Sequence, residues 1–309
     1  MSSHIKVRAP ATVSNLGCGY DTIGFSLESV YEELELQVRE DNLLNIATVT
    51  GADLSSDPQQ NTATIAIKAL LKDLKSEVGF DLTIHKYFTP GSGLGSSASS
   101  AAGAVFAANK LLGEPYSKEQ LLPFALEGEF FASKSYHADN VAPCLLGGFV
   151  VLRSYDPLDF FQLPIPKNDL KCLIIRPDIQ IKTDQAKKLI PPDIALKTAR
   201  NQWGNVAGLV HAFHTNNWSL ARLSIHDYIA EPVRKRLITG YDSVKKICLA
   251  SGSIGFNISG AGPSMFSLFR KDVDLVELKS QVEGVYTEYG IGFETFESGF
   301  DDEGCKVVN

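Results

Sequence analysis

The stretch that most constrains this chain is Thr89-Pro90-Gly91-Ser92-Gly93-Leu94-Gly95-Ser96-Ser97-Ala98-Ser99-Ser100. Three glycines at alternate positions let the backbone approach a ligand closely and turn successive N–H groups into one concavity. Ahead of the loop, Phe80, Leu82 and Ile84 alternate with Asp81, Thr83 and His85, which predicts a half-buried strand. Behind it, an alanine-rich run predicts a helix whose N-terminus, with free N–H groups and a partial positive charge, faces the same point. Strand, loop and helix end together favour bound phosphate. A Walker loop would need Gly-Lys-Ser/Thr, and no lysine is present. A Rossmann turn would need an acidic residue closing a second strand about 20 residues on, where this chain still reads as helix. The remaining alternative is a tight strand–helix turn that holds nothing.

Elsewhere strands and helices mix. Val30, Leu34, Leu36 and Val38 alternate with Glu33, Glu35, Gln37 and Arg39 over residues 28–39. Ile67, Leu70, Leu71, Leu74 and Val78 recur at helical spacing behind an Asn61-Thr62 start. Ser117 and Gln120 form a capping box ahead of a helix to about residue 135. Proline, serine and asparagine cluster over 154–169, which predicts a boundary between two domains, 1–165 and 166–309. Beyond it come a strand at 173–175 and helices within 195–215, 217–228 and 231–249. A strand pair near 255–269, a helix over 272–288 and a strand over 291–296 follow. Strict alternation is lacking, so the pattern predicts two α+β halves rather than a doubly wound sheet.

The net charge of −7, from 29 Lys and Arg against 36 Asp and Glu, argues against a nucleic-acid partner and for a small molecule. Cys18, Cys144, Cys172, Cys248 and Cys305 are scattered, as reduced thiols of a cytoplasmic protein would be. The start Met1-Ser2-Ser3-His4 lacks a signal peptide's apolar core, and no apolar run approaches the roughly 18 residues that span a bilayer. No membrane partner is expected.

Two further motifs flank the loop: Pro10-Ala-Thr-Val-Ser-Asn15-Leu-Gly17-Cys-Gly19-Tyr-Asp21 and Gly255-Phe-Asn-Ile-Ser259-Gly260-Ala-Gly262-Pro263-Ser264. In this order the three resemble the signature of the galactokinase–homoserine kinase–mevalonate kinase–phosphomevalonate kinase (GHMP) superfamily. Glu129 through Pro143, with His137-Ala-Asp139-Asn140-Val-Ala, and Glu231-Pro-Val-Arg234 are most similar to its homoserine kinase family. The resemblance runs from about residue 5 to the C-terminus. It implies an N-terminal domain of the ribosomal-protein-S5-like type, a ferredoxin-like C-terminal domain, and transfer of a phosphoryl group from ATP to the hydroxyl of L-homoserine on the way to threonine. Dimers are common in the superfamily, so a homodimer is one expected state.

The same resemblance distributes roles. ATP would lie against Asn61, Pro90, Gly91, Ser92, Gly93, Leu94, Gly95, Ser96, Ser97, Ala98 and Ser99, with Mg²⁺ held by Ser97 and Glu129. Mg²⁺ suits a few hard oxygens plus phosphate oxygens and water. Homoserine is a zwitterion with a hydroxyl. Arg234 suits its carboxylate, Asp21 its ammonium, and Asn15, Asn140 and His137 its polar contacts. Ser97, Glu129 and Asn140 form the expected catalytic set. Asn15 and Asp21 also read as turn residues favouring left-handed backbone. Asp139, beside Asn140, is expected to position substrate or support structure rather than act as a base. The chain departs from the family pattern twice. Lys187, in Thr183-Asp-Gln-Ala-Lys187, stands where the family has an arginine, keeping the charge but losing the planar fork. The loop proline is displaced by one residue in Thr89-Pro90-Gly91. Another GHMP-type kinase and a catalytically silent GHMP-fold sensor remain as alternatives.

Overall fold

A computed structural model describes residues 3–308; Met1, Ser2 and Asn309, at the outer ends of the two expected domains, lie outside it. The chain begins β1 (His4–Ser14), β2 (Ile23–Arg39), β3 (Leu44–Thr50), α1 (Thr62–Leu74), β4 (Gly79–Lys86) and α2 (Ser96–Leu111). Next come α3 (Lys118–Ser133), α4 (Ala138–Leu146), β5 (Phe149–Tyr155) and β6 (Leu158–Leu163). A second series runs β7 (Leu170–Pro177), α5 (Thr183–Lys188), α6 (Leu196–Thr215), α7 (Trp218–Ser224), α8 (Glu231–Arg234) and α9 (Tyr241–Ala250). It closes with β8 (Gly255–Ile258), β9 (Met265–Arg270), α10 (Val276–Tyr289), β10 (Phe293–Ser298) and β11 (Lys306–Val307).

The 17-residue β2 organises the first sheet. β1 pairs along most of the length of β2, β4 with its C-terminal half and β5 with its first residues, and the strand order is β11-β1-β2-β4-β3 with β5 and β6 joined through β2. The second sheet is antiparallel, in the order β10-β7-β9-β8, as a split βαβ arrangement requires. The two α+β halves expected from periodicity are both present. The last residues return to the first sheet, where Val307 pairs with Val7 and Phe300 bridges to Leu27.

Three local expectations change. The proline-rich segment holds β6, paired with β5, because its edge position tolerates irregular chemistry at the turn. The helix expected over 231–249 divides into α8, a short 3₁₀ turn at Lys235–Leu237, and α9. Gly240, at φ 79°, restarts the helix on a new axis. The last helix starts at Val276 rather than 272.

In α2 every residue except Ser97 and Lys110 is buried, which explains its composition. A larger side chain would collide with its surroundings: a Cβ on Gly103 would sit 2.5 Å from the Leu34 side chain. Between the two sheets lies a continuous apolar layer centred on Phe25, Phe149, Phe266 and Phe300, with Phe25 stacked on Phe149 at 4.7 Å. This layer fixes the halves against each other, and the cleft opens beside it.

Candidate active site

Gly91, Gly93 and Gly95 have φ of 74°, 85° and 67°, the left-handed region that explains a glycine at every second position. Gly95 is the N-cap of α2, and no side chain caps that end, so the first-turn amides remain open to a ligand. The third motif supports the loop. Ser259 Oγ donates to Gly93 O at 2.6 Å, and the Ser264 amide donates to Ser92 O at 3.1 Å. A Cβ on Gly93 would lie 2.5 Å from Ser259 O. Gly93→Ala is therefore expected to shift the loop and cost several kcal/mol, combining φ strain of about 1–3 kcal/mol with the clash. Denaturant unfolding and ADP titration check this, and an unchanged midpoint with unchanged affinity would show a loop free to adjust.

Around this cradle a cleft of about 400 Å³ collects residues from all three motifs. Ser97, the one unburied residue of the first helical turn, donates to Glu129 Oε2 at 2.6 Å. Glu129 is buried on α3, and its Oε1 meets His137 Nδ1 at 2.9 Å. Burial works against a charge on His137. The Glu129 hydrogen bond, with the charges of Asp139, Glu129 and Asp21, outweighs it and holds the imidazole pKa above its ordinary value. Ser97 and Glu129 thus form a pair of hard oxygen donors, the set expected for a divalent cation that completes its shell with phosphate and water. Asn140, on α4, accepts from Thr12 Oγ1 at 2.8 Å, which leaves its Nδ2 as a donor.

Opposite charges face the same space. Arg234 is 6% exposed, and its guanidinium donates to Gly260 O at 2.9 Å and Ala186 O at 3.4 Å. Asp21 stands on the first-motif turn with φ 51°. Among the described residues neither forms an ion pair. A buried cation held by two carbonyls and the Tyr20 ring, with no carboxylate paired to it, attracts an anion. Asn15, at φ 72°, accepts from the Asp21 amide at 3.0 Å and donates to Gly260 O at 3.1 Å. It is a turn residue and a cleft residue at once, tying the first motif to the third.

Of the other expected residues, Asn61 and Lys187 also line the cleft. The Asn61 side chain caps α1 through Ala63 N and donates to Ser55 O, so both its polar atoms are engaged at the cleft mouth. Ser92, Leu94, Ala98 and Ser99 are buried and do not line the cleft, and the amides of Ser92 and Ser99 already donate to Thr89 O and Gly95 O. Ser99 Oγ donates to Pro10 O and Gly95 O. Lys187, exposed on α5, donates to Ser135 across the cleft mouth. Residues that the motifs did not single out also line the cleft: Tyr20, packed between Asp21 and Arg234, and Lys86. Lys86 was legible as a charge in the apolar phase of its strand.

Asp139 is 1% exposed, accepts from the Asn15 amide at 3.3 Å, and among the described residues its Oδ1 has no hydrogen-bond partner. Burial, with the Asp21 charge, pushes its carboxyl up to about 7. Below about pH 4 it is neutral in folded and unfolded chains alike. Between there and pH 7 only the unfolded chain ionises, so stability falls as pH rises, by up to roughly 4 kcal/mol. Urea midpoints at pH 5 and pH 8 should therefore diverge in the wild type more than in Asp139→Asn. Equal pH dependence in both would mean that Asp139 ionises normally.

Comparison with known proteins gives the same grouping. Residues 61–148 match the model of the GHMP kinases N terminal domain, and residues 209–287 that of the GHMP kinases C terminal. A homoserine kinase of Chlorobium phaeobacteroides is 41% identical over 271 residues, covering 84% of each chain. The crystal structure of homoserine kinase from Cytophaga hutchinsonii has a TM-score of 0.95 at 43% identity, covering 100% of this chain and 98% of that one. A mevalonate kinase crystal structure, 15% identical with a TM-score of 0.73, shares the fold.

Proposed function

Because the chain belongs to the GHMP kinases and, within them, to the homoserine kinase family, we propose that it transfers the γ-phosphoryl group of ATP to the side-chain hydroxyl of L-homoserine, giving O-phospho-L-homoserine for threonine synthesis. The observation that carries the substrate is that Asp21 and Arg234, neither in an ion pair among the described residues, face one cleft beside the glycine loop. Together the two charges suit a zwitterion; mevalonate, a carboxylate with no ammonium, would engage Arg234 but leave Asp21 without a cation, and a sugar would use neither.

Phosphoryl transfer asks for alignment and charge neutralisation more than for covalent chemistry. The open amides of the loop and the first turn of α2 hold the triphosphate. Asn140 Nδ2 donates to a phosphate oxygen or to the homoserine hydroxyl. Arg234 takes the carboxylate, and Asp21 the ammonium. His137 holds Glu129 in place. Lys187 adds a positive charge at the mouth, without the planar fork of an arginine. Ser97 and Glu129 fit Mg²⁺ by their donor chemistry; when bound, it neutralises charge on the phosphate oxygens. Asp139, its carboxyl pushed up to about 7 by burial and the Asp21 charge, supports the Asn15 turn. Asp139→Asn is accordingly expected to retain turnover within about tenfold, short of the 10²–10⁴-fold contribution of a general base. A pH–rate profile whose acid limb vanished in that variant would make Asp139 the base instead.

The same reading includes a cytoplasmic location, where the five buried, unbonded thiols stay reduced, and a homodimer. It divides the chain near residue 165, between β6 and β7. Among the described residues no helix is long and apolar enough to cross a membrane. The deciding assay couples ADP release to Mg·ATP with L-homoserine, L-serine, L-threonine, mevalonate and galactose. Strong preference for homoserine supports the proposal. ATP binding without turnover on any of them would favour a silent sensor.

A further inference from the structure

A charged pair occupies the buried face of the first sheet. Glu32 follows the apolar phase of Val30, Leu34 and Leu36, Lys86 that of Phe80, Leu82 and Ile84, and the antiparallel register sets them opposite each other. Their side chains are 0% and 1% exposed and in direct contact. Taking two charges out of water costs several kcal/mol each, and pairing recovers that only with further hydrogen bonds. Here those bonds lead to the phosphate loop. The three N–H groups of the Lys86 ammonium are shared among Glu32 and three more acceptors, Ser96 O at 2.9 Å, Ser96 Oγ at 2.9 Å and Ser100 Oγ at 2.7 Å. Ser96 and Ser100 sit one turn apart at the start of α2, and both line the cleft with Lys86. Glu32 Oε1, buried beside this group, has no hydrogen-bond partner among the described residues. Among the described residues the Ser96 hydroxyl has no protein acceptor. A hydroxyl whose oxygen accepts from an ammonium keeps its own proton to give and gives it more strongly.

We infer that Lys86, held by Glu32, is a positioning residue for the phosphoryl donor: it presents the Ser96 hydroxyl as a donor in the glycine-loop cradle and sets a buried positive charge beneath the first turn of α2. The inference rests on the kinase reading and deepens it. Neither residue belongs to the glycine loop itself. Their effect on nucleotide passes through Ser96 and through the field at the helix end.

Lys86→Met alone would strand the Glu32 carboxylate in the core, so the informative variant is the neutral pair Glu32→Gln/Lys86→Met. Calorimetric titration with ADP should show about tenfold or greater loss of affinity, as expected for a lost charge-assisted contact. The melting temperature should stay within a few degrees, and the homoserine KM should change little. Ser96→Ala should weaken ADP similarly in the wild type and add little in the neutral-pair background, the non-additivity of residues acting as one unit. Wild-type ADP affinity in the neutral-pair variant, or an equal cost of Ser96→Ala in both backgrounds, would overturn the inference. ADP binding is read without homoserine. A wild-type protein that binds ADP yet leaves homoserine unphosphorylated would therefore overturn the kinase reading, while the variants still decide this one.

Discussion

Glu129→Gln is expected to lower turnover by about 10²-fold or more at saturating Mg²⁺, the size of a single lost electrostatic contact in an active site. Glutamine keeps the volume and the hydrogen-bonding reach, so Ser97 still finds an acceptor and the packing of α3 is undisturbed. Only the charge is lost, and at 3% exposure no solvent replaces it. His137 keeps a polar neighbour but loses a charged one that helps hold its pKa up, so the whole chain of Ser97, Glu129 and His137 weakens together. ADP affinity without metal should change far less than turnover, because the loop amides are intact. Steady-state rates over a Mg²⁺ series, beside metal-free ADP titration, check both statements. Near-normal turnover at saturating Mg²⁺ would remove Glu129 from the metal shell.

Arg234→Ala should act on the other substrate, raising the homoserine KM by about 10–10²-fold, since hydrogen bonds to charged groups contribute about 1.5–3 kcal/mol. The guanidinium is buried against Gly260 O and Ala186 O, with the Tyr20 ring centroid 5.2 Å away, so its loss leaves the substrate carboxylate beside carbonyl oxygens, with Lys187 and Lys86 as the remaining lysines of the cleft lining. The KM for ATP should move little, because Arg234 bonds the third motif at Gly260 and not the glycine loop. Rates measured with each substrate varied in turn separate the two effects. Equal damage to both constants would indicate a collapsed third-motif loop rather than a lost carboxylate contact.

Much of this was legible along the chain because its signals are local. Alternation announced β2 and β4, and the Ser117–Gln120 box opened α3 where expected. The alternate glycines announced a left-handed loop, since steric freedom at each φ depends only on the residue that occupies it. The motif residues Ser97, Glu129, Asp21 and Arg234 were named from the sequence, and the fold brings all four to one cleft.

What the chain alone left open was partnership. Asn61 read as a nucleotide contact, and its polar atoms turn out to cap a helix and hold Ser55. Ser99 read as part of the phosphate loop, and its hydroxyl faces the carbonyl oxygens of Pro10 and Gly95. Asn15 reaches Gly260 across 245 residues, and Thr12 reaches Asn140 across 128. Glu32 and Lys86, 54 residues apart, were each a lone charge in an apolar phase until strand register set them side by side. Local conformation follows from the few residues that share a turn or strand, so it can be read in sequence order. Which polar groups satisfy one another, and what pKa Asp139 takes among its neighbours, depends on register and packing between distant segments, and those exist only once the two sheets have closed around their shared core.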